Sequence, residues 1–497
     1  MIGILLIPVI TAVICYILSN TRLISYISAL GTVVLAIFSI PTIVSSVSAP
    51  IEMMNGMLYM DALSGYIMAL IIFLGFASAL YSIAYIEHEL KAGLTDITGT
   101  RRYYSLLHLF IFTMLLVTMS NNLALMWIAI EATTIVSAVL IGFGVRKRAL
   151  AIEAAWKYII LCTVGITFAL LGTFITYYAS TAVLGTEGTL NWTALKGIAN
   201  KLNPSTMKLA FIFILVGYGT KAGLAPVHNW LPDAHSQAPS PISALLSGIL
   251  LNTAFYGIMR FISIVEPSTG NTFTGNLLII FGLISIGISS IFILVQDNYK
   301  RLLAYSSIEH MGIITIGTGI GGPLGIYGAL LHVLNHALSK PLLFFASGRI
   351  QAHYGSTKIE NVNGVLSSMP LLGTLTFIGA LSLSGTPPFN IFLSEFTILK
   401  AGVDKGLWTV VGLFLFFVVI VFYGMLSGFG KMLFGKNIPT SQPRNLSSSK
   451  SLGSGFSTLC SNSIMIVMAS LIIVLGFTIP GFIDSTIRAC INILGVK

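Results

Sequence analysis

Apolar runs separated by short polar connections dominate this chain. Windows of about 20 apolar residues, enough helix to cross a bilayer, mark roughly fourteen of them. They fall near residues 2–19, 24–46, 62–86, 103–119, 122–143, 152–178, 207–227, 240–264, 275–295, 301–320, 323–348, 369–399, 407–430 and 461–484. The expected fold class is an all-α polytopic membrane protein, because a backbone in lipid must satisfy its own polar groups. Two runs carry breakers in their middle: Gly217, Gly219, Gly223 and Pro226 in the seventh, and Gly385, Pro387 and Pro388 in the twelfth. A broken helix is predicted at each. Pro341 is expected to interrupt the eleventh span as well. Residues 180–206 and 436–456 read as connectors only.

Composition agrees with the pattern. Of 497 residues, 55% are hydrophobic and only 8% charged, with a mean hydropathy of +0.92, which leaves no soluble domain of ordinary size. The net charge of +10 is not a nucleic-acid footprint, since no basic, aromatic-rich stretch accompanies it. Cys15, Cys162, Cys460 and Cys490 are isolated in sequence, so neither an iron–sulfur centre nor a zinc site is encoded. Cofactors, if the function needs them, are expected on partners. The first apolar run lacks a basic leader and a small-residue cleavage site and reads as a first span.

Charge then sets topology. Loops on one side hold Arg22, Lys91, Arg101, Arg102, Arg146, Lys147, Arg148, Lys300, Arg301, Arg349, Lys358, Lys431, Lys436, Arg444 and Lys450; the other side holds Lys196, Lys201, Lys208, Lys400, Lys405, Arg488 and Lys497. The imbalance places the first group in the cytoplasm and both termini on the outer side of the cell membrane. Lys157, Lys221, Arg260 and Lys340 remain, inside predicted spans.

Such charges carry the candidate chemistry. A lysine at the centre of a membrane helix costs roughly 2.5–3.5 kcal/mol even on gentle insertion scales, so Lys221 is expected to face a charge or a wet path. Glu131, about nine residues into its own span, is its natural partner, and a couple that can close and open would load and release a proton. Lys157 follows Glu153 at i+4 and is either a station on such a path or a boundary ion pair. Asn252 can relay through water but cannot carry charge. Arg260 lies eight residues on, near the outer boundary. His332, His336 and Lys340 share one helix face, with Glu395 beyond the second break and Glu309 and His310 just inside the tenth span. Two histidines at i, i+4 can ligate zinc, but the adjacent lysine and the absence of a third ligand favour a hydrated relay. His228, Asp233 and His235, after the first break, read equally as an inner gate or as helix caps. The two broken spans with buried charge suggest repeats of about five spans each. The corresponding divisions are a three-helix segment at 1–102, a first repeat at 103–264, a second at 275–434, and an inner loop with the last span at 435–497.

These residues lie in the motifs YMDALSGYI, NNLALMWIAIEATT, EAAWKYIILC, GTKAGLAPVHNWLPDAHSQAPSPISALLSG, KRLLAYSSIEHMG, HVLNHALSKPLLFF and GTPPFNIFLSEF. Together they resemble antiporter-like membrane subunits of the complex I superfamily, the hydrogenase-4 F type above all. The resemblance implies fourteen helices with two inverted five-helix repeats. It implies Glu131, Lys221, Lys340 and Glu395 as proton carriers, with Lys157, His228, Asn252, Glu309, His332 and His336 as relays, and no metal or cofactor in this chain. It also implies partner membrane subunits and a peripheral redox module bearing iron–sulfur clusters, with a nickel–iron centre in a hydrogenase. Asn252 stands where that family usually has lysine or histidine. The expected function is redox-driven proton translocation, with sodium linkage open. The alternatives are a sodium/proton antiporter subunit without a redox partner, a self-contained oxidoreductase, disfavoured for want of any nucleotide or metal motif, and a solute carrier.

Overall fold

The computed structural model describes residues 1–143, 148–435 and 455–495. The expectations attached to Arg146, Lys147, Lys436, Arg444, Lys450, Lys497 and most of the 436–456 connector lie outside the described residues. Within them the chain is helical apart from one antiparallel hairpin, β1 (Ile51–Met53) with β2 (Leu58–Met60).

Side-chain caps explain where many helices begin. Asn20 opens α2 (Thr21–Ser48), Asp61 opens α3 (Ala62–Lys91), and Asp96 opens α4 (Ile97–Met119); each side chain accepts from amides of the first turn. α1 (Ile2–Ile17) precedes them and packs on α2 and α4. Asn122 caps α5 (Leu123–Gly142), which is followed by the long α6 (Arg148–Leu184). The residue before α5 and the strand-like residue after α6, Asn122 and Asn191, form an isolated bridge. Asn298 caps α13 (Tyr299–Ile320) in the same way, α14 (Gly322–Tyr354) follows, and Asn298 bridges to Lys358 beyond it.

Both expected breaks are present. α8 (Pro204–Ala222) ends on Gly223 at φ 76°, a left-handed position that suits glycine. The chain then passes through the cis Ala225–Pro226 bond into α9 (Leu231–Gln237). α16 (Pro370–Leu383) stops before Gly385 at φ 67°, and α17 (Asn390–Asp404) resumes after the cis Pro387–Pro388 bond. Pro341 does not break its helix: α14 continues through it to Tyr354. One lost amide donor is tolerated there because both flanking turns are packed on all sides.

Ten described helices are long and apolar enough to span a bilayer. The other predicted spans meet helices that fail one criterion. α1 has 16 residues, α8 and α16–α17 are the broken elements, and α13 is too polar. The span predicted at 461–484 corresponds to α19 (Gly455–Phe477) and runs on into the first turn of a separate amphipathic α20 (Gly481–Leu494). The connector at 180–206 is more than a connector, since α7 (Trp192–Ile198) buries Trp192 and its indole donates to the carbonyl of Arg260 at 3.1 Å.

The core runs through α3, α14 and the helix formed by α10 (Ser240–Leu245), a π turn at Leu246–Leu250 and α11 (Leu251–Thr269). Buried hydroxyls pin the first two together: Tyr66 and Tyr81 of α3 donate to the carbonyls of Leu330 and Phe345, each at 2.7 Å. α12 (Asn271–Leu294), α18 (Trp408–Phe434) and α2 form the periphery, with exposed apolar side chains such as Ile291, Val419 and Phe38.

Candidate functional site

Lys221 is the next-to-last residue of α8, with no solvent exposure. It does not touch Glu131. Its ammonium donates to Thr134 Oγ1 at 2.8 Å and to the hydroxyl of Tyr158, and lies 4.6 Å from the Tyr158 ring centroid. Glu131 is half-buried, accepting from Thr163 at 2.9 Å and from Thr134 at 3.2 Å. The expected ion pair is therefore open, with one hydroxyl standing between its partners. Tyr158 is hydrogen-bonded to Ser137 at 2.7 Å and packs on Trp230, whose indole donates to the Thr220 carbonyl at 2.8 Å. The segment after the break thus closes over the lysine.

Lys157 is exposed and bound to two carboxylates, Glu153 at 2.7 Å and Asp233 at 3.3 Å. It forms the i, i+4 ion pair that its spacing allowed. Asp233, on α9, also takes Arg301 of α13 at 3.0 Å. Beneath it His235 is fully buried with no partner for either ring nitrogen among the described residues, and His228 Nδ1 is likewise unpartnered. The π turn sets Asn252 so that its amide donates to the Gly248 carbonyl at 2.8 Å and reaches His336 Nδ1 at 3.4 Å, a weak contact.

The second cluster lies between α13, α14 and α17. Lys340 is fully buried and donates to the Leu303 carbonyl at 2.7 Å and to Ser306. His310 and His332 share a hydrogen bond at 3.0 Å, and His332 continues to Ser394 at 2.9 Å, next to Glu395. The His310 and His336 rings are 5.3 Å apart. Glu309 Oε2 and His336 Nε2 find no partner among the described residues. The Glu395 carboxylate lies against Gly385 of the break, where a Cβ would come 3.1 Å from its Cδ. Glycine is needed there for space as well as for its positive φ. No group of three or more His, Cys, Asp or Glu among the described residues is arranged to hold a metal ion.

Sequence reasoning missed several members. Arg260 is buried and grips Asp61 with two hydrogen bonds, at 2.7 and 2.6 Å, beside Ser64, Tyr256 and the Trp192 ring. Asp61 was visible inside the motif YMDALSGYI, but at a span edge nothing marked it as buried. Tyr158, Thr134 and Thr163 carry no sequence signal of their own.

Residues 120–421 match the family described as NADH:quinone oxidoreductase/Mrp antiporter, TM. A Hydrogenase-4 component F homolog of Methylacidiphilum infernorum is 42% identical over 336 residues, 67% of this chain and 70% of that protein. A chain of the membrane-bound sulfane sulfur reductase, an archaeal respiratory membrane complex, superposes with a TM-score of 0.84 at 26% identity, covering 99% of this chain and 97% of that one. A chain of the Mrp complex from Dietzia sp. gives a TM-score of 0.84 at 19% identity, over 99% and 96%, a likeness of fold alone. With the motifs, the two broken helices and the buried lysines in the same chain, this protein belongs to the NADH:quinone oxidoreductase/Mrp antiporter transmembrane family, as an antiporter-like membrane subunit.

Proposed function

We propose that the chain translocates protons, with or without sodium linkage, within a redox-driven membrane complex of the hydrogenase or complex I type. The observation that carries this reading is Lys221, an ammonium with no solvent exposure in a broken membrane helix, held by hydroxyls and one hydroxyl away from Glu131. A fixed ion pair would neutralise both groups permanently; a couple held apart can change partners. Lys221, Glu131, Lys340 and Glu395 are the carriers, and Asn252, His336, His332, Glu309 and His228 the relays. The proton passes from Lys221 through water and the Asn252–His336 contact to Lys340, and leaves by Glu395. Lys157 holds the mouth of this path through Asp233.

The matching caps and bridges of Asn122 and Asn298, and the two glycine–proline breaks, support the division into repeats at 103–264 and 275–434, flanked by 1–102 and 435–497. The relatives' names favour partners that include further antiporter-like subunits and a peripheral module carrying iron–sulfur clusters, with a nickel–iron centre in the hydrogenase case. Basic loops favour the cell membrane with both termini outside.

In vesicles containing the whole complex, Lys221→Ala is expected to abolish redox-driven proton translocation. Lys221→Arg does not restore it, because guanidinium stays protonated. Full pumping by the arginine variant would sink the carrier role. The family's description, which takes in Mrp antiporters as well as NADH:quinone oxidoreductase, favours one second reading, a sodium/proton antiporter subunit without a redox partner. Mass spectrometry of the intact complex separates the two by the presence or absence of a redox module.

A further inference from the structure

We propose that the Thr134 hydroxyl is itself a proton-transferring member of the site, the bridge through which Lys221 and Glu131 exchange a proton without touching. This rests on the carrier reading above and goes beyond it in naming the residue and the step.

The geometry fixes the direction of the bridge. An ammonium only donates and a carboxylate only accepts, so Thr134 Oγ1 must accept from Lys221, at 2.8 Å, and donate its one proton to Glu131 Oε2, at 3.2 Å. Hydroxyls in this bundle generally donate to a carbonyl one turn back. The neighbouring Thr133 does so to Ile130 at 2.6 Å and Ser137 to Thr133 at 2.5 Å. Thr134, fully buried, instead points its proton at the carboxylate three residues earlier. The second oxygen of Glu131 is occupied by Thr163 at 2.9 Å, and the ammonium is steadied by Tyr158. Both ends of the bridge are therefore held while its middle is free to reverse.

The step balances without any co-reactant. An N–H bond of the Lys221 ammonium breaks as an O–H bond forms on Thr134 Oγ1, and the hydroxyl's original O–H bond breaks as one forms on Glu131 Oε2. The nitrogen keeps the electron pair. Ammonium and carboxylate become amine and carboxylic acid, nothing is oxidised or reduced, and the threonine now donates towards the amine. Return of the proton runs the same bonds backwards.

The test uses the whole complex in vesicles, with proton translocation read by a pH-sensitive dye and assembly checked on native gels. Thr134→Val keeps the shape and removes the hydroxyl, and is expected to slow translocation at least tenfold; Thr134→Ser keeps the hydroxyl and is expected to stay within threefold of the parent. Thr133→Val removes the neighbouring buried hydroxyl, which donates to the Ile130 carbonyl and not to Glu131, and is also expected within threefold. If Thr134→Val does not assemble, Thr134→Ala takes its place with the same expected loss, since it too carries no transferable proton. Translocation at the parental rate in the hydroxyl-free variant, with Lys221→Ala inactive, overturns the bridge and leaves the carriers standing. Equal losses in Thr133→Val and Thr134→Val also overturn it, because the loss then follows from removing any buried hydroxyl of α5. An active Lys221→Ala removes the carrier reading and the bridge with it.

Discussion

Arg260 with Asp61 and Lys221 with Glu131 are both cation–carboxylate couples inside the membrane part of this protein, and they are built on opposite plans. The first is closed, with two parallel hydrogen bonds, a Ser64 hydroxyl and flanking aromatic rings. The planar guanidinium fits the carboxylate fork, and Asp61 also caps α3, so the pair ties α11 to the start of that helix. The second is open: its cation is a deprotonatable amine, its carboxylate is half-exposed, and a threonine occupies the space between. A charge pair that must hold a fold is satisfied directly and uses an arginine. A pair that must exchange protons is satisfied indirectly and uses a lysine.

The contrast breaks if stability and transport do not separate. Arg260→Met leaves Asp61 charged and buried and is expected to cost about 3–5 kcal/mol, read as a large fall in the thermal midpoint of the complex in detergent. Lys221→Ala is expected to leave that midpoint nearly unchanged while removing translocation. A double-mutant cycle sharpens the point: Asp61→Asn with Arg260→Met should couple by about 3 kcal/mol, and Glu131→Gln with Lys221→Ala by less than about 1 kcal/mol. Equal coupling would mean that the open couple closes in solution. Asp233→Asn, in the exposed cluster with Lys157 and Arg301, is expected to cost about 0.2–1 kcal/mol, and less at high salt.

The smallest effect concerns α20. Arg488, and then Tyr327, hydrogen-bond Asp484 and hold its carboxyl below the usual aspartate range. A lowered value means that the contact stabilises the fold at neutral pH and is lost as pH falls through that value. Amide protection factors, corrected for the intrinsic pH dependence of exchange, should therefore fall in α20 on acidification, and this response should vanish in Asp484→Asn.

The open couple was legible in sequence and the closed one was not. Lys221 and Glu131 stand far inside apolar runs, where any charge demands a reason. Asp61 stands at a span edge, where acidic residues are ordinary, and its burial depends on Arg260 arriving from 199 positions away. The breaks at Gly223 and Gly385 were legible because glycine and proline occur together, whereas Pro341 alone did not signal whether its turn would be supported. α20 escaped because the last predicted span stops in its first turn, and its buried face, Ile487, Cys490, Ile491 and Leu494, lies beyond that limit. Thr134 escaped because hydroxyls are common in membrane helices and only coordinates reveal which way one points.

α20 lies across the ends of α3, α11 and α14, and Lys196 of α7 donates to its Ile493 carbonyl. At the opposite end of α6, helices meet through Lys157, Asp233 and Arg301, contacts that water and salt can loosen. One end of the bundle is thus strapped by a buried apolar surface and the other by exposed charges, so its mechanical compliance is lopsided. Any rearrangement of the helices is expected to pivot about the strapped end and open widest at the other, like a pair of tongs.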